Sequence, residues 1–410
     1  MKVLSLFDGM ACGMLAFQDA GINVDKYVAF EIDKYAMLTS SHNFPMIEHR
    51  GDVMQADFTE FWGYDFLVGG SPCTYWSIAQ KNNRETEASG IGWELFSQYV
   101  RALHEAKPRY FIYENNKSMA KAIRDSITKT FGFEPICINS SLLSAQNRNR
   151  LYWVGRRNAV GAYEKVDVEQ PQDMGILLRD VLDGITDKAK GRCLLSSTGR
   201  TTTREYYIKN QGNMAFEPVP FGECGGKSYA LTASYWKGQP KNKILEKSQR
   251  THVAEPVRIP EYMVQHKARC LTASYAHKGA GEGSLATEAF PSNPNKQVRD
   301  YVAEPIPVFA TPCEWDTSGK PTRATSGADG KTYAVFEVSN NQITIKGKRY
   351  QVNIPDGFYI IRKLTVSECK RLQTVPEWYE FPVSDTQAYK MLGNGWTVSV
   401  ISHLIKATQL

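Results

Sequence analysis

One cysteine of this chain directly follows a short apolar run and a proline, in the segment GGSPCTYWS. Pro72 restricts the backbone and would hold Cys73 just past the end of a strand. A cysteine placed in this way could act as a nucleophile. Most single cysteines are instead inert buried thiols, because reactivity requires a polarised and accessible setting. Both interpretations stay open on this residue alone.

Polar residues at the ends of later apolar runs extend this candidate site. Glu114 ends the run in YENN, and a strand-end position would bring it to the same crevice as Cys73. In QNRNR, residues two apart point to one side of a strand, which groups Gln146, Arg148 and Arg150. A solvated basic edge is the alternative for this last segment.

A second group of residues indicates a cofactor that contains a nucleoside. The segment SLFDGMACG leaves the first apolar run and enters a helical pattern, so its small residues would let the backbone approach a ligand at a helix N-terminus. Glu31 could hold ribose hydroxyls, and Asp52 could accept from an adenine amino group. Taken singly, these features fit a tight turn and solvated caps equally well. Their order along the chain favours the cofactor site.

These residues need a scaffold, and the first 155 residues alternate short apolar runs with helical patterns. This alternation predicts an α/β, Rossmann-like lobe with a parallel sheet covered on both faces. The clearest helix is predicted over 95–107, closed by Pro108. Strands are predicted at 3–7, 27–31, 66–69, 110–113, 135–138 and 151–154.

The texture changes over residues 156–356, where Gly, Pro, Thr, Lys and Tyr are frequent and turn signals break short strand-like pieces. We predict a second, smaller β-rich domain there. LTASY occurs at 231–235 and again at 271–275, each behind Glu-Pro-Val, which favours related units, although so short a match could be accidental. The segment 357–410 regains helical character, with helices predicted at 364–373 and 397–409.

Composition narrows the class of protein. A hydrophobic share of 42% and a charged share of 22% exclude a disordered or fibrous chain of 410 residues. No apolar stretch approaches the roughly 18 residues of a membrane span, and the start lacks signal-peptide features, so we expect a cytoplasmic protein without a membrane partner. Eight cysteines without a CxxC pair, and no histidine cluster, predict reduced thiols and no metal site. A net charge of +6 fits a polyanionic partner without requiring one.

In their order, these segments resemble the cytosine-C5 DNA methyltransferases. SLFDGMACG is similar to the cofactor loop of that family, SPC with Ser77 to its catalytic Pro-Cys loop, and QNRNR to its Gln-x-Arg-x-Arg motif. Glu114 and Asn115 resemble the start of the Glu-Asn-Val motif, RKLTVSECKRLQ with Pro376 the segment that closes the recognition domain, and LGNGWTV the C-terminal Gly-Asn motif. The unmatched middle corresponds to the variable target recognition domain. The internal echo there is similar to phage-encoded, multi-target members.

The resemblance implies a reaction and its residues. Cys73 would add to C6 of a cytosine flipped out of duplex DNA, which makes C5 nucleophilic toward the methyl group of S-adenosylmethionine. A protonated Glu114 would donate to N3, and Arg150 with Arg148 would hold O2. Further base contacts are implied for Ser77, Asn115 and Gln146.

S-adenosylmethionine is the implied cofactor. Phe7 would stack on its adenine, Glu31 would bind the ribose, and Asp52 with Val53 would meet the purine edge. Trp396 and Asn116 depart from the usual residues of the family, which leaves open an altered pocket and an unusual derivative of the cofactor. The pocket would also include Asp8, Gly9, Gly13, Ile32, Pro72, Asn394 and Val398.

The implied partner is double-stranded DNA, bound by a monomer in a bacterial or phage-infected cell. The polar stretch 74–92 would close over the flipped base, unless it is an ordinary surface loop. Basic residues of the second domain could contact phosphates, although a charge run is more often a solvated face. These are Lys237, Lys241, Lys243 and Arg250.

Three other functions remain open. An RNA C5-methyltransferase would share these motifs, but the middle domain of roughly 200 residues favours readout of duplex DNA. A non-catalytic regulator would have no reason to retain Cys73, Glu114 and Arg150 together. A dinucleotide oxidoreductase would need the GxGxxG fingerprint, which is absent.

Overall fold

The computed structural model describes residues 1–77, 84–218, 324–326, 332–345 and 347–409. The chain divides into two compact units. The first contains the C-terminal segment together with the N-terminal lobe, at Met1–Asp183, Lys188–Asn213 and Lys363–Leu410, and the second contains Gly184–Asp187 and Met214–Arg362.

The first unit is built on a mixed sheet. Its strands are β1 (Lys2–Leu6), β2 (Lys26–Phe30), β3 (Glu48–His49), β4 (Phe66–Gly69), β5 (Tyr110–Asn116), β6 (Ile136–Asn139), β8 (Asn149–Arg157) and β9 (Tyr163–Lys165). Their order is β3-β2-β1-β4-β5-β8-β6, with β9 paired to β8. Strands β1 to β5 run parallel, and β8 is antiparallel to its neighbours. The predicted Rossmann-like α/β lobe is confirmed.

The strand order reverses direction between β1 and β4, and such a point predicts a ligand-binding crevice. In open parallel sheets, ligands bind beyond the carboxyl ends of the strands where the order reverses. The loops that follow β1 and β4 are the segments that contain Asp8 and Cys73. The topology therefore brings the predicted cofactor loop and the predicted Pro-Cys loop to one edge.

Several strand ends differ from the prediction: those of β1, β2 and β5, and, by one to three residues, those of β6 and β8. Strand β1 stops at Leu6, because Phe7 adopts a left-handed backbone with φ of 56°. Strand β2 begins and ends one residue earlier than predicted, at Lys26–Phe30. Strand β5 continues to Asn116, since its pairing with β8 persists past Tyr113. The predicted last residue, Tyr113, was wrong; Glu114 lies near the end of the strand, and its pairing with Tyr152 of β8 fixes its position.

QNRNR is not one continuous strand. Gln146–Asn147 form β7, which pairs in parallel with β10 (Gly191–Arg192), and β8 begins at Asn149. Arg148 lies between them, and its backbone N–H donates to Asn139 Oδ1 at 2.9 Å. This contact replaces a ladder hydrogen bond at the break.

Helices cover the sheet and return the C-terminal segment to the first unit. They are α1 (Cys12–Asp19), α2 (Lys34–Asn43), α3 (Gly90–Ala106), α4 (Lys121–Phe131), α5 (Thr203–Tyr207), α6 (Val366–Leu372), α7 (Asp385–Asn394) and α8 (Val398–Ala407). Helix α3 starts at Gly90, before the predicted residue 95, and buries Phe96 and Tyr99. Helices α6 and α8 confirm the two C-terminal predictions, whereas α7 was not predicted.

An aromatic core under β4 and β5 holds these two strands in place. Phe111 packs against Phe131 with ring centroids 5.0 Å apart, and Tyr99 against Tyr113 at 4.8 Å. A Cβ on Gly155 of β8 would lie 2.3 Å from the Phe111 ring, so only glycine fits there. Each such buried ring contributes roughly 1.5–3 kcal/mol of burial free energy. This core packs beneath the strands whose ends line the crevice.

The second unit contains an antiparallel sheet. Its strands are β11 (Met214–Pro218), β12 (Ala324–Ser326), β13 (Thr332–Ser339), β14 (Gln342–Ile345), β15 (Lys348–Gln351) and β16 (Gly357–Lys363), in the order β11-β16-β13-β14-β15 with β12 on β13. Asn340 and Asn341 both have positive φ, which suits the tight hairpin between β13 and β14. The β-rich prediction is confirmed for these strands. Both LTASY copies and the four basic candidates from Lys237 to Arg250 lie outside the described residues.

Across the part of the chain that the structure describes, no helix has the length and apolar character needed to cross a membrane.

Candidate active site

The loop after β1 has the tight geometry expected of a ligand-binding turn. Phe7, Gly9 and Ala11 have φ of 56°, 60° and 59°. The backbone N–H of Gly9 donates to Glu31 Oε2 at 2.8 Å, which ties this loop to the end of β2. The other Glu31 oxygen accepts from the backbone N–H of Ile32 at 2.8 Å. The predicted cofactor loop and the predicted ribose-binding acid are therefore brought together.

Asp8 is the carboxylate of this loop, and its two oxygens have different surroundings. Its Oδ1 accepts hydrogen bonds from Ser5 Oγ at 2.6 Å and Tyr27 Oη at 2.7 Å, whereas its Oδ2 is buried without a hydrogen-bond partner. Burial raises the pKa of Asp8 to about 6, because desolvation outweighs these hydrogen bonds. A buried carboxylate oxygen without a partner is suited to a cationic group of a ligand.

The other predicted cofactor residues are placed as follows. Asp52 comes after β3 and caps a short 3₁₀ turn by accepting from the Met54 N–H at 2.9 Å, and Val53 beside it is buried. A Cβ on Gly13 would lie 2.6 Å from Tyr27 Oη, so that glycine is required by packing. Phe7 is half-buried, Ile32, Pro72 and Asn394 are exposed, and Val398 is buried.

The Pro-Cys loop follows β4 directly, and Cys73 begins a 3₁₀ turn. Ser71 is buried, and its Oγ forms a hydrogen bond with Tyr113 Oη at 2.6 Å. Asn115 Nδ2 donates to the Ser71 carbonyl at 3.1 Å and to Tyr113 Oη at 3.2 Å. Asn115 thus anchors the loop that leads into Cys73, and its predicted contact with substrate stays a prediction.

Both flanks of the predicted closing loop are anchored. Trp76 is fully buried and donates from Nε1 to Glu85 Oε2 at 2.9 Å. Arg84 donates to the Ser118 carbonyl at 2.7 Å. Ser77 is half-buried, and residues 78–83 lie outside the described part of the chain. Closure of this loop over a base stays a prediction.

Glu114 is the centre of a compact polar cluster. Arg150 Nε lies 2.9 Å from Glu114 Oε1, and Trp396 Nε1 donates to Glu114 Oε2 at 2.9 Å. A Cβ on Gly70 would lie 2.7 Å from the Glu114 carbonyl oxygen, so the loop before Cys73 passes directly against this strand. The predicted acid and the predicted arginine are joined, next to the Pro-Cys turn.

Arg148 and Gln146 face the C-terminal segment. Arg148 is buried and donates to the carbonyls of Gly395 at 2.8 Å and Gly393 at 3.2 Å. Gln146 Nε2 donates to the Leu372 carbonyl at 3.2 Å. The sequence grouped Gln146, Arg148 and Arg150 on one side of a strand, but the strand is broken at Arg148, and of the three only Arg150 contacts Glu114. Base contacts by Arg148 and Gln146 stay predictions.

Sequence reasoning missed a buried glutamine that joins three motifs. Gln373 Nε2 donates to the carbonyls of Leu392 at 2.6 Å and Gly395 at 3.1 Å. Its Oε1 accepts from Gln146 Nε2 at 3.1 Å and from Thr397 Oγ1 at 2.8 Å. The one available signal was its position at the end of KRLQ, since a lone glutamine has no distinctive spacing.

Cys193 was also missed. Its Sγ accepts from Arg148 Nη1 at 3.2 Å and lies 3.9 Å from Arg150 Nη2. Burial raises the pKa of this thiol, but the two guanidinium groups outweigh burial and lower the pKa below its ordinary value. The arginines therefore create a positive field beside Glu114.

Asp8→Asn is expected to stabilise the protein above pH 6. The folded wild type keeps its Asp8 proton up to about pH 6, whereas the unfolded chain loses it near 3.8. Stability therefore falls as pH rises through this window, by roughly 3 kcal/mol at about 1.4 kcal/mol per pH unit. Urea unfolding of both proteins from pH 3.5 to 8 measures this difference.

The difference in the free energy of unfolding between the Asp8→Asn variant and the wild type should be small below pH 4 and should reach its full size above pH 6. Asp19→Asn, at the exposed end of α1, is the matched control and should leave the pH dependence unchanged. If the free energy of unfolding changed with pH in the same way for the wild type and Asp8→Asn, burial of Asp8 would carry no such cost.

Comparisons with known proteins identify the family of the chain. The profile described as C-5 cytosine-specific DNA methylase matches residues 1–409. The chain is 22% identical over 444 positions to the orphan methyltransferase M.SPRI of Bacillus phage SPR, covering 99% of this chain and 97% of that protein. It is 28% identical over 200 positions to the type II methyltransferase M1.ScrFI of Lactococcus lactis subsp. cremoris, covering 45% of this chain and 49% of that protein.

A solved structure shows the same fold. A variant of Spodoptera frugiperda DNMT2 superposes with a TM-score of 0.52 at 14% identity, over 100% of this chain and 99% of that one. The family profile spans both motif-bearing ends and the middle. The resemblance inferred from the ordered motifs is confirmed, and the chain belongs to the C-5 cytosine-specific DNA methylase family.

Proposed function

We propose that this protein transfers a methyl group from S-adenosylmethionine to C5 of cytosine in a short sequence of duplex DNA. One observation carries the proposal: the Pro-Cys turn after β4 lies against β5, the strand that holds Glu114, and Glu114 is paired with Arg150 of β8. A nucleophile, a carboxyl group and a guanidinium at one edge match the needs of covalent activation of a pyrimidine.

The residues of the crevice fit the cofactor. When bound, S-adenosylmethionine supplies an electrophilic methyl group on a sulfonium. Glu31 and Asp52 follow neighbouring parallel strands, where carboxylates can accept from ribose hydroxyls and an adenine amino group. The Asp8 oxygen that is buried without a partner fits a positively charged group of the same molecule.

Cytosine C5 is too electron-poor to be methylated directly. The Cys73 thiolate would add to C6, which places electron density on C5 as an enamine. C5 then takes the methyl group, a base removes the C5 proton, and the bond between Cys73 and C6 breaks by elimination. The thiolate is regenerated, so electrons and protons balance over the cycle.

Glu114 and Arg150 would recognise cytosine and stabilise the adduct. Negative charge develops at N3 and O2 when the thiolate adds. A protonated Glu114 carboxyl can donate to N3 and accept from the exocyclic amine, and the Arg150 guanidinium can hold O2. Uracil and thymine offer N–H and carbonyl groups at these two positions, so the same pair would disfavour them.

Access to the base requires its rotation out of the duplex. The cost is a few kcal/mol, repaid by contacts in the crevice and along the DNA backbone. We assign sequence recognition to the β-rich second unit, and we expect a monomer to be sufficient because the proposed catalytic residues all belong to the first unit.

Methyl transfer from labelled S-adenosylmethionine to unmethylated duplex DNA tests the proposal, with bisulfite sequencing of the product. Matched RNA serves as the alternative substrate. Label on cytosines in a short shared context is the expected result. Label on RNA alone, or on neither polymer, would reject duplex DNA as the substrate.

A further inference from the structure

Trp396 contacts the candidate catalytic acid from the C-terminal segment. It lies in the short connection between α7 and α8, and its indole Nε1 donates to Glu114 Oε2 at 2.9 Å. Arg150 Nε lies 2.9 Å from the other oxygen, Oε1. Each oxygen of this carboxyl group is therefore held by a separate donor.

The backbone around Trp396 is fixed on both sides. The Gly395 carbonyl accepts from Arg148 Nη2 at 2.8 Å and from Gln373 Nε2 at 3.1 Å. On the other side, Thr397 Oγ1 donates to Gln373 Oε1 at 2.8 Å. These contacts set the direction in which the indole leaves the chain.

The indole ring also lies beside the cofactor loop. A Cβ on Gly13 would be 3.7 Å from Cζ3 of Trp396, in ordinary van der Waals contact. The ring packs at the start of α1, while the N–H reaches Glu114 on β5. One side chain thus lies beside the cofactor loop and also reaches Glu114.

We propose that Trp396 is a positioning residue for Glu114, an inference that rests on the proposed role of Glu114 in binding cytosine. The terminal torsion of a glutamate side chain is soft, so one donor on one oxygen leaves the carboxyl plane free to turn. Arg150 and Trp396 together set that plane. The carboxyl then presents its edge to N3 and the exocyclic amine of the base.

Trp396→Phe tests this role, because it keeps an aromatic ring and removes the N–H donor together with part of the indole. We expect kcat to fall about tenfold, the net effect of losing one hydrogen bond that orients the carboxyl group. The KM and Kd for S-adenosylmethionine should change by less than about threefold, since an aromatic ring is kept at this position. Trp378→Phe, at an exposed tryptophan of the same segment, is the matched control and should leave kcat, KM and Kd unchanged.

An unchanged kcat with weaker cofactor binding would overturn the proposal, because Trp396 would then act only as part of the cofactor pocket. A double-mutant cycle on urea unfolding gives a test that does not depend on turnover. In the double variant that combines Trp396→Phe and Glu114→Gln, the shift in the urea midpoint should be smaller than the sum of the shifts of the two single variants. Additive shifts would also overturn it. If the wild type methylates no nucleic acid, the proposed function fails, while the cycle still decides whether Trp396 holds Glu114.

Discussion

Cys73→Ala is expected to abolish methyl transfer to DNA, with a loss on the order of 10⁴-fold or more, as for removal of a catalytic nucleophile. Without the thiolate, C6 receives no electron pair and C5 stays unreactive toward a sulfonium. Transfer of labelled methyl groups to duplex DNA measures the loss. Binding of S-adenosylmethionine should be retained, because Asp8 and Glu31 lie after other strands.

A mechanism-based trap separates covalent catalysis from other causes of inactivity. In a duplex with 5-fluorocytosine at the target, C5 has no proton to lose, so the wild-type adduct should persist as a complex that survives denaturation. Cys73→Ala should form none. Cys137→Ala, at a half-buried cysteine of β6, is the matched control and should be trapped like the wild type. Trapping of Cys73→Ala would transfer the nucleophile role to another residue.

Glu114→Gln is expected to lower kcat on the order of 10²- to 10³-fold, similar to the loss of one donor to a developing negative charge. The amide keeps the shape and the contact with Arg150 but carries no proton that it can pass to N3 and recover. Single-turnover methyl transfer at saturating S-adenosylmethionine measures the chemical step. The KM for the cofactor should change little.

A control for charge removal is present on the same sheet. Glu164 of β9 pairs with Arg156 of β8 at 2.8 Å, as Glu114 pairs with Arg150 of that strand, but this second pair is largely exposed. Glu164→Gln should leave kcat unchanged. An equal loss in both variants would point to damage of the sheet and would refute a chemical role for Glu114.

Much of the architecture could be predicted from local sequence signals. Apolar runs of strand length separated by helical stripes specify a covered parallel sheet, because only such a sheet buries both faces of its strands. The break after Leu6 was harder to place, since Phe7 suits a strand by residue type. Its left-handed backbone is imposed by the turn that brings Gly9 to Glu31.

The candidate site also has one part that the sequence could predict and one part that it could not. Short motifs identify Cys73, Glu114 and Arg150, because chemistry restricts residue type at these places and the strand order brings them to one edge. The partners that position them are distant in sequence. Gln373 and Trp396 lie more than 200 residues beyond QNRNR and YENN, and no local pattern marks their contacts.

The amino-acid sequence by itself determined the family, the class of fold and the residues capable of the chemistry, since each depends on residue types at short, ordered spacings. Only the tertiary structure decided that Arg150 pairs with Glu114 while Arg148 holds the C-terminal segment. It alone decided that Trp396 supplies the second donor to the carboxyl group. The physical reason is that hydrogen bonds depend on distance and direction in space. Arg148 and Arg150 have nearly identical sequence surroundings, and the strand break at Arg148 determines which partner each of them reaches.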